Sequence, residues 1–334
     1  MTPTTAPLLS PAEIATRAAS ETPYLRFAAT AFAFRDRGQR LRQLAAGHPM
    51  RDYLMFAASL AEAQQAVLQA PRHVTLPEAA FLGDAARRGE PPLAFPHWPL
   101  HDEWLQDLHA LLDALAPNAP AGVANVITQV RSLSGPDLRL QAERLLRQMP
   151  VGLDLAMAPL VGAALQVYWT RLVDRTQKAF PDLAFGRVDH ARHCPCCGST
   201  PVASVTRIGA TEAGARYLHC SLCQTEWHWV RIQCSHCETS QDVTYQSLES
   251  ITAADGPAYT PPAGAVRAEC CGACGHYLKI MDMSRDAHVD PVADDLASVT
   301  LDLLVSETGL QRHGVNYLLL WGDDAPEEPL AGPP

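Results

Sequence analysis

Residues His219 to Cys237 read HCSLCQTEWHWVRIQCSHC, two Cys-x-x-Cys pairs separated by ten residues. Whether these four thiols enclose one ion or belong to two sites decides the fold. The chain carries four such knuckles: Cys194/Cys197, Cys220/Cys223, Cys234/Cys237 and Cys271/Cys274. The gaps between successive pairs are 22, 10 and 33 residues. A tetrahedral four-cysteine site sets two knuckles face to face, commonly across a β-hairpin. Strands average about 5–6 residues, so going out and back takes about 12 or more. The first and third gaps suit such a hairpin. The middle one, Gln224 to Gln233, suits a single crossing strand. A ten-residue loop closing one site stays open as the alternative, because known spacings are broad.

An internal repeat supports two sites. With Cys194/Cys197 set on Cys234/Cys237 and Cys220/Cys223 on Cys271/Cys274, both halves read knuckle, strand, loop, strand, knuckle. Arg216 then falls four residues before Cys220, as Arg267 does before Cys271. The opening stretch therefore joins two modules, finishing one site and beginning the next. Cys196 and Cys270 each neighbour a knuckle cysteine and are read as free thiols pointing away from the ion. His193, His219, His228, His236 and His276 read as surface or supporting residues, since four thiolates already complete a site. Trp227 and Trp229 share a strand face and read as core between the modules.

All ten cysteines fall between Cys194 and Cys274 of 334 residues. A disulfide scaffold would spread its crosslinks, and a chain of this length needs none. Clustered CxxC pairs instead imply metal sites in a reducing compartment. Residues 1–18 lack the basic and apolar regions of a signal peptide. The apolar run Leu155 to Trp169 is short of a membrane span and is interrupted by Pro159 and Gly162. These readings give a soluble cytoplasmic protein with no membrane insertion. The net charge of −10 argues against a protein devoted to binding phosphates.

Up to about residue 185 the pattern is helical. Tyr53, Phe56, Leu60, Ala63 and Val67 make one stripe ending at Pro71. Trp104, Leu108, Leu111, Leu112 and Leu115 make another, begun by Asp102 and stopped by Pro117. Ser134-Gly135-Pro136 introduces a third helix, with Leu138, Leu145 and Leu146. Leu160 to Arg175 reads as a more buried fourth, and Pro71 to Pro99 as a long surface connection. After the cysteines one helix carries Leu296, Val299, Leu303 and Leu304 and stops at Gly309. The end, APEEPLAGPP, has the composition of a disordered tail.

The fold class is thus α+β: a mainly helical N-terminal domain (1–185), two CxxC modules (186–233 and 234–285), then a C-terminal helix and tail (286–334). The forms CPCCG and CGACGHY, with glycine after the second cysteine, resemble rubredoxin knuckles and favour iron. Zinc ribbons also use CPxCG, so zinc is the alternative.

CPCCGSTPVAS, RYLHCSLCQTEWHWVRIQCSHC and AECCGACGHYLKI resemble the FdhE family of formate dehydrogenase accessory proteins. HPMRDYLMFAASLAEAQ and DLASVTLDLLVSETGLQRHGVNYLLL extend the likeness from about Pro49 to Leu320. The resemblance implies a cytoplasmic maturation factor without turnover of its own. Such a factor binds the catalytic subunit of a respiratory formate dehydrogenase before export. It further implies rubredoxin-like modules holding two iron ions on Cys194, Cys197, Cys220, Cys223, Cys234, Cys237, Cys271 and Cys274. Self-association is left open.

No nucleophile–base pair or Gly-rich phosphate loop stands out. Asp294 and Asp295 invite a catalytic reading but begin a helix, where acids favour the dipole. Arg51, Asp52 and Tyr53 read as a helix-start ion pair, with partner docking as the alternative. A nucleic-acid-binding zinc ribbon needs a basic stripe, yet residues 186–285 hold eight Lys/Arg against nine Asp/Glu. A rubredoxin-like electron-transfer protein would need its iron to cycle reversibly.

Overall fold

The computed structural model describes residues 22–209, 212–248 and 261–320. The expected tail and the start of the chain lie outside them. Among the described residues, seven α-helices precede the first cysteine: α1 (Ala33–Leu44), α2 (Arg51–Gln69), α3 (Ala79–Arg87), α4 (Glu103–Leu115), α5 (Ala121–Ser132), α6 (Gly135–Leu146) and α7 (Ala158–Ala179). Helix α7 is buried on every side from Leu160 through Val173, its Gln166, Thr170 and Arg171 included, which makes it the axis of the bundle. Helices α2, α4 and α6 pack on it. Of these three, only α6 has a side-chain cap: the Ser134 hydroxyl accepts from the Asp137 amide at 3.3 Å, whereas Asp102 before α4 makes no such bond.

One expectation fails here. Pro71 to Pro99 is not merely a surface connection: it contains α3 and sends Leu82, Leu93 and Trp98 into the core. Its prolines and glycines concealed a nine-residue helix that buries only Leu82 and Ala85.

The second half builds one sheet. Its strands are β1 (Leu25–Arg26), β2 (Pro201–Thr206), β3 (Arg216–Cys220), β4 (Glu226–Trp229), β5 (Val243–Gln246), β6 (Val266–Cys271), β7 (His276–Asp282) and β8 (Gln311–Arg312). The order is β1-β4-β3-β2-β7-β6-β5, with β8 also on β7. Strands β2-β3-β4 and β5-β6-β7 are successive antiparallel meanders, each following its own knuckle. They join head to tail through the parallel pair β2/β7, with Ser204 opposite Ile280. The ten-residue gap carries the single strand β4, which β1 caps. One apolar core runs from the helices through Cys194, Cys197, Cys220 and Cys223. A second, small cluster gathers Ala268, Cys270, Tyr277, Leu301 and Val305.

The single C-terminal helix is in fact two, α8 (Ala293–Ala297) and α9 (Val299–Ser306), broken at Ser298. The buried ammonium of Lys279 on β7 donates to the carbonyls of Asp295 and Ser298 at 2.8 and 3.1 Å, diverting them from continuous helix bonding. The face differs too. Leu301 and Val305 are buried, whereas Leu303 and Leu304 are exposed.

Candidate metal centres

Each knuckle is a tight turn of the same construction. The residue after its second cysteine has a left-handed backbone: Gly198, Gln224, Glu238 and Gly275, with φ of 71, 62, 64 and 71°. That turn folds the chain back, so that Gly198, Glu238 and Gly275 donate their amides to the carbonyls of Cys194, Cys234 and Cys271 at 2.8–3.0 Å. The amides of Leu222 and Cys223 point at Cys220 Sγ, both at 3.3 Å. The amide of His236 points at Cys234 Sγ, also at 3.3 Å. Amides aimed at sulfur favour thiolate over thiol.

The strands then bring the knuckles together in two sets. Cys194, Cys197, Cys220 and Cys223 form one cluster, and Cys234, Cys237, Cys271 and Cys274 the other, with Sγ atoms within 4.8 Å of one another in each. Closest approaches are 3.5 Å (Cys194–Cys223) and 3.4 Å (Cys197–Cys220) in the first. In the second they are 3.9 Å (Cys234–Cys274) and 3.7 Å (Cys237–Cys271). None of the ten cysteines is in a disulfide. A metal–sulfur bond of about 2.3 Å in a tetrahedron sets sulfurs about 3.8 Å apart. The donor set and its spacing fit a four-thiolate ion.

Electrostatics agree. Burial pushes the Cys194 and Cys220 thiols well above their ordinary range. Burial acts on Cys223 in the same direction, but hydrogen bonds from Cys194, Cys196, Cys197 and Cys220 outweigh it and bring that thiol well below. Such a cluster accommodates one thiolate readily and four only around a cation. The two clusters differ in cover. The first is wholly buried, while in the second Cys237 is exposed and Cys274 partly so.

The two spare cysteines part company. Cys270 turns into the small apolar cluster, its thiol nearest the Ala268 carbonyl at 3.7 Å, facing away as expected. Cys196 is buried beside the first cluster, close enough for Cys194 and Cys223 to act on its thiol. It belongs to neither four-cysteine group, but it does not face clear of one. Its carbonyl accepts from the Leu93 amide at 3.0 Å, stitching the knuckle to the loop after α3.

His219 is a supporting residue: its ring nitrogens meet Glu226 at 3.1 Å and Gln224 at 3.2 Å. His228 packs edge-on against Tyr217. Trp227 and Trp229 are buried, donating to the carbonyls of Ala191 and Gln233. His236 and His276 stack beside Cys274. His313 joins them, its ring 5.3 Å from that of His236 and its Nε2 3.0 Å from Ser235 Oγ. It lies 39 residues beyond the last cysteine, and no spacing rule reaches it. Asp294 and Asp295 do start α8, but as buried ion-pair hubs: Asp294 faces Arg40, and Asp295 faces Lys279 and Arg312. Arg51 and Asp52 make an exposed pair at 3.5 Å. Tyr53 instead donates its hydroxyl to the Leu318 carbonyl. No helix among the described residues is long and apolar enough to cross a membrane.

Comparison with known proteins covers nearly all of this architecture. Family profiles for the N-terminal, central and C-terminal domains of FdhE match residues 22–181, 193–231 and 232–319. The chain is 42% identical to the protein FdhE homolog of Edwardsiella ictaluri, over 87% of this chain and 89% of that one. It is 39% identical to protein FdhE of Salmonella dublin, over 92% and 94% respectively. The crystal structure of FdhE from Pseudomonas aeruginosa superposes with a TM-score of 0.76 at 37% identity, over 89% of this chain and 99% of that one. With its helical bundle, its repeated meanders and its paired knuckles, this chain belongs to the FdhE family.

Proposed function

We propose that the chain is a cytoplasmic accessory factor for a respiratory formate dehydrogenase, binding the catalytic subunit during its assembly and before export. It acts by binding, not by turnover. Its units are the helical domain (1–185), two metal modules (186–233 and 234–285) and the C-terminal segment (286–334). Cys194, Cys197, Cys220 and Cys223 hold one ion, and Cys234, Cys237, Cys271 and Cys274 the other. The observation that carries the reading is the pair of tetrahedrally spaced thiol clusters set in one sheet of an FdhE-family chain. Amides directed at Cys220 and Cys234 sulfur suit iron, and zinc fits the same donors. When bound, the ions supply crosslinks that hold strands and knuckles in register.

The test has two parts. Metal analysis with a visible spectrum, on protein purified without oxygen, should give two ions per chain and a thiolate-to-iron band. A colourless protein with two zinc ions would replace iron by zinc. Capture of the formate dehydrogenase catalytic subunit by the tagged chain tests the partner, and no capture by the fully loaded protein would overturn the assembly role.

A further inference from the structure

The second cluster has neighbours that the first lacks. One ring nitrogen each of His236 and His276, together with Cys274 Sγ, lie within 4.8 Å of one another. The two rings stack with centroids 3.8 Å apart and planes 15° from parallel, so one ring turns about its Cβ–Cγ bond to bring both in-plane lone pairs onto one ion. His276 Nδ1 lies 2.8 Å from the Cys274 carbonyl oxygen. That oxygen only accepts, so Nδ1 carries the proton and Nε2 keeps its lone pair. Metal-binding histidines are oriented in this way, the far nitrogen donating to a carbonyl or carboxylate. His236 Nδ1 is buried and has no hydrogen-bond partner among the described residues. A buried polar atom left unpaired is destabilising, and donation to a cation would relieve that. The backbone there is held in place, since Arg192 donates to the His236 carbonyl at 3.1 Å. All three donor residues are half-buried, and Cys237, next to His236, is exposed. Around the first cluster the four thiols are sealed, and His219 is engaged by Glu226 and Gln224.

We propose that His236, His276 and Cys274 form a transit site for a divalent metal ion, through which the second centre is loaded and emptied while the first stays closed. Two imidazole nitrogens and a thiolate suit a borderline ion such as Zn²⁺, Co²⁺ or Fe²⁺. Cys274 belongs to both donor sets and remains attached throughout. Loading exchanges donors one at a time: two of the three further cluster thiolates displace the two imidazole lone pairs, and the third displaces a water from the ion's fourth position. The thiol protons pass to water, and the oxidation state does not change.

The inference rests on the clusters being metal centres, so the experiment reads that first. Full-length protein is loaded with Zn²⁺ without oxygen, its metal ratio measured, and the ion then withdrawn by a chromogenic chelator. The expected result is two ions per chain leaving in two phases of one equivalent each, the fast phase missing in Cys271→Ser. The double variant His236→Ala/His276→Ala should keep both ions and slow the fast phase at least tenfold. His276→Gln provides the same reading with a smaller perturbation of the fold. A purely structural or shielding role for the imidazoles would accelerate release instead. A metal ratio near zero sinks the metal-centre reading and this inference with it. Two ions with a fast phase unchanged or quickened by the histidine variants, or a fast ion traced to the first cluster, overturns the transit site alone.

Discussion

Gly198, Gln224, Glu238 and Gly275 hold the same backbone role in four knuckles with different side chains, and this separates strain from packing. A Cβ on Gly198 would meet Ala94 Cβ at 2.7 Å, whereas one on Gly275 would meet nothing within 4 Å. Gly275→Ala should therefore cost only the left-handed penalty, about 1–2 kcal/mol. Gly198→Ala should lose a further 1–3 kcal/mol or so from overpacking. Denaturant midpoints of the two variants would check the order, and equal losses would refute it. Glu238→Gly should raise stability by about 1 kcal/mol, since Glu238 is exposed and already sits in the conformation glycine prefers. Glu226 makes a different residue-scale case. Burial would raise its carboxyl, but Arg207 and His219 overcome this and hold it at about 2. Its folded value is below the unfolded one, so its contribution is present above about pH 4.5 and lost as pH falls toward 2. Glu226→Gln should cost roughly 3 kcal/mol at neutral pH and progressively less in acid. A pH-independent loss measured by denaturation would count against this account.

At the scale of elements, charged residues decide the placements that apolar patterns miss. Helix α1 turns Arg37 and Arg40 inward, where they meet Asp290, Asp286 and Asp294 some 250 residues along the chain. Read locally, two arginines in a polar stretch look solvated, so α1 was invisible as a core helix. The same physics splits the C-terminal helix at Ser298 and docks both halves on the sheet. Lys279 is fully buried between Asp295 and Asp302, with Arg312 alongside. Lys279→Met would leave Arg312 as the cation facing the two carboxylates, beside the neutral donors Tyr277 and Asn316, and should cost about 3–5 kcal/mol. Amide exchange should accelerate first in residues 293–306, and uniform acceleration along the chain would show that α8 and α9 are not docked through this lysine.

At the scale of the molecule, the helical domain and the first module share a core. The side chain of Gln166 on α7 donates to the Ser221 carbonyl at 2.7 Å inside a knuckle, and β1 pairs with β4. Read locally, helices with their own apolar stripes and no cysteines should survive metal loss largely intact. The continuous core changes that expectation for one centre only. Loss of the first ion, as in Cys220→Ser, should loosen α7 and the bundle as well as β2 to β4. Loss of the second, as in Cys271→Ser, should stay within β5, β6 and their knuckles, because β7 is held by β2 and by Leu278 and Met281 in the main core. Limited proteolysis mapped along the chain distinguishes the two. Identical cleavage patterns would mean the modules are energetically equivalent.

Sequence by itself determined what depends on short range. The stripes of α2, α4 and α6 and the four knuckles follow from spacings of a few to about thirty residues, which also favour the two-by-two grouping of the cysteines over a single ten-residue loop. Helix period, hairpin length and tetrahedral geometry act over that range. The family likeness was legible for the same reason, being carried by contiguous motifs. Only the tertiary structure decided how the meanders join through β2 and β7, which thiols are sealed and which are open, and which imidazoles stand beside Cys274. Those outcomes rest on pairings between residues far apart in the chain, such as Ser204 with Ile280, Arg40 with Asp294 and Ser235 with His313. A local pattern holds no record of them, because burial and charge pairing are settled only when the whole chain closes on itself.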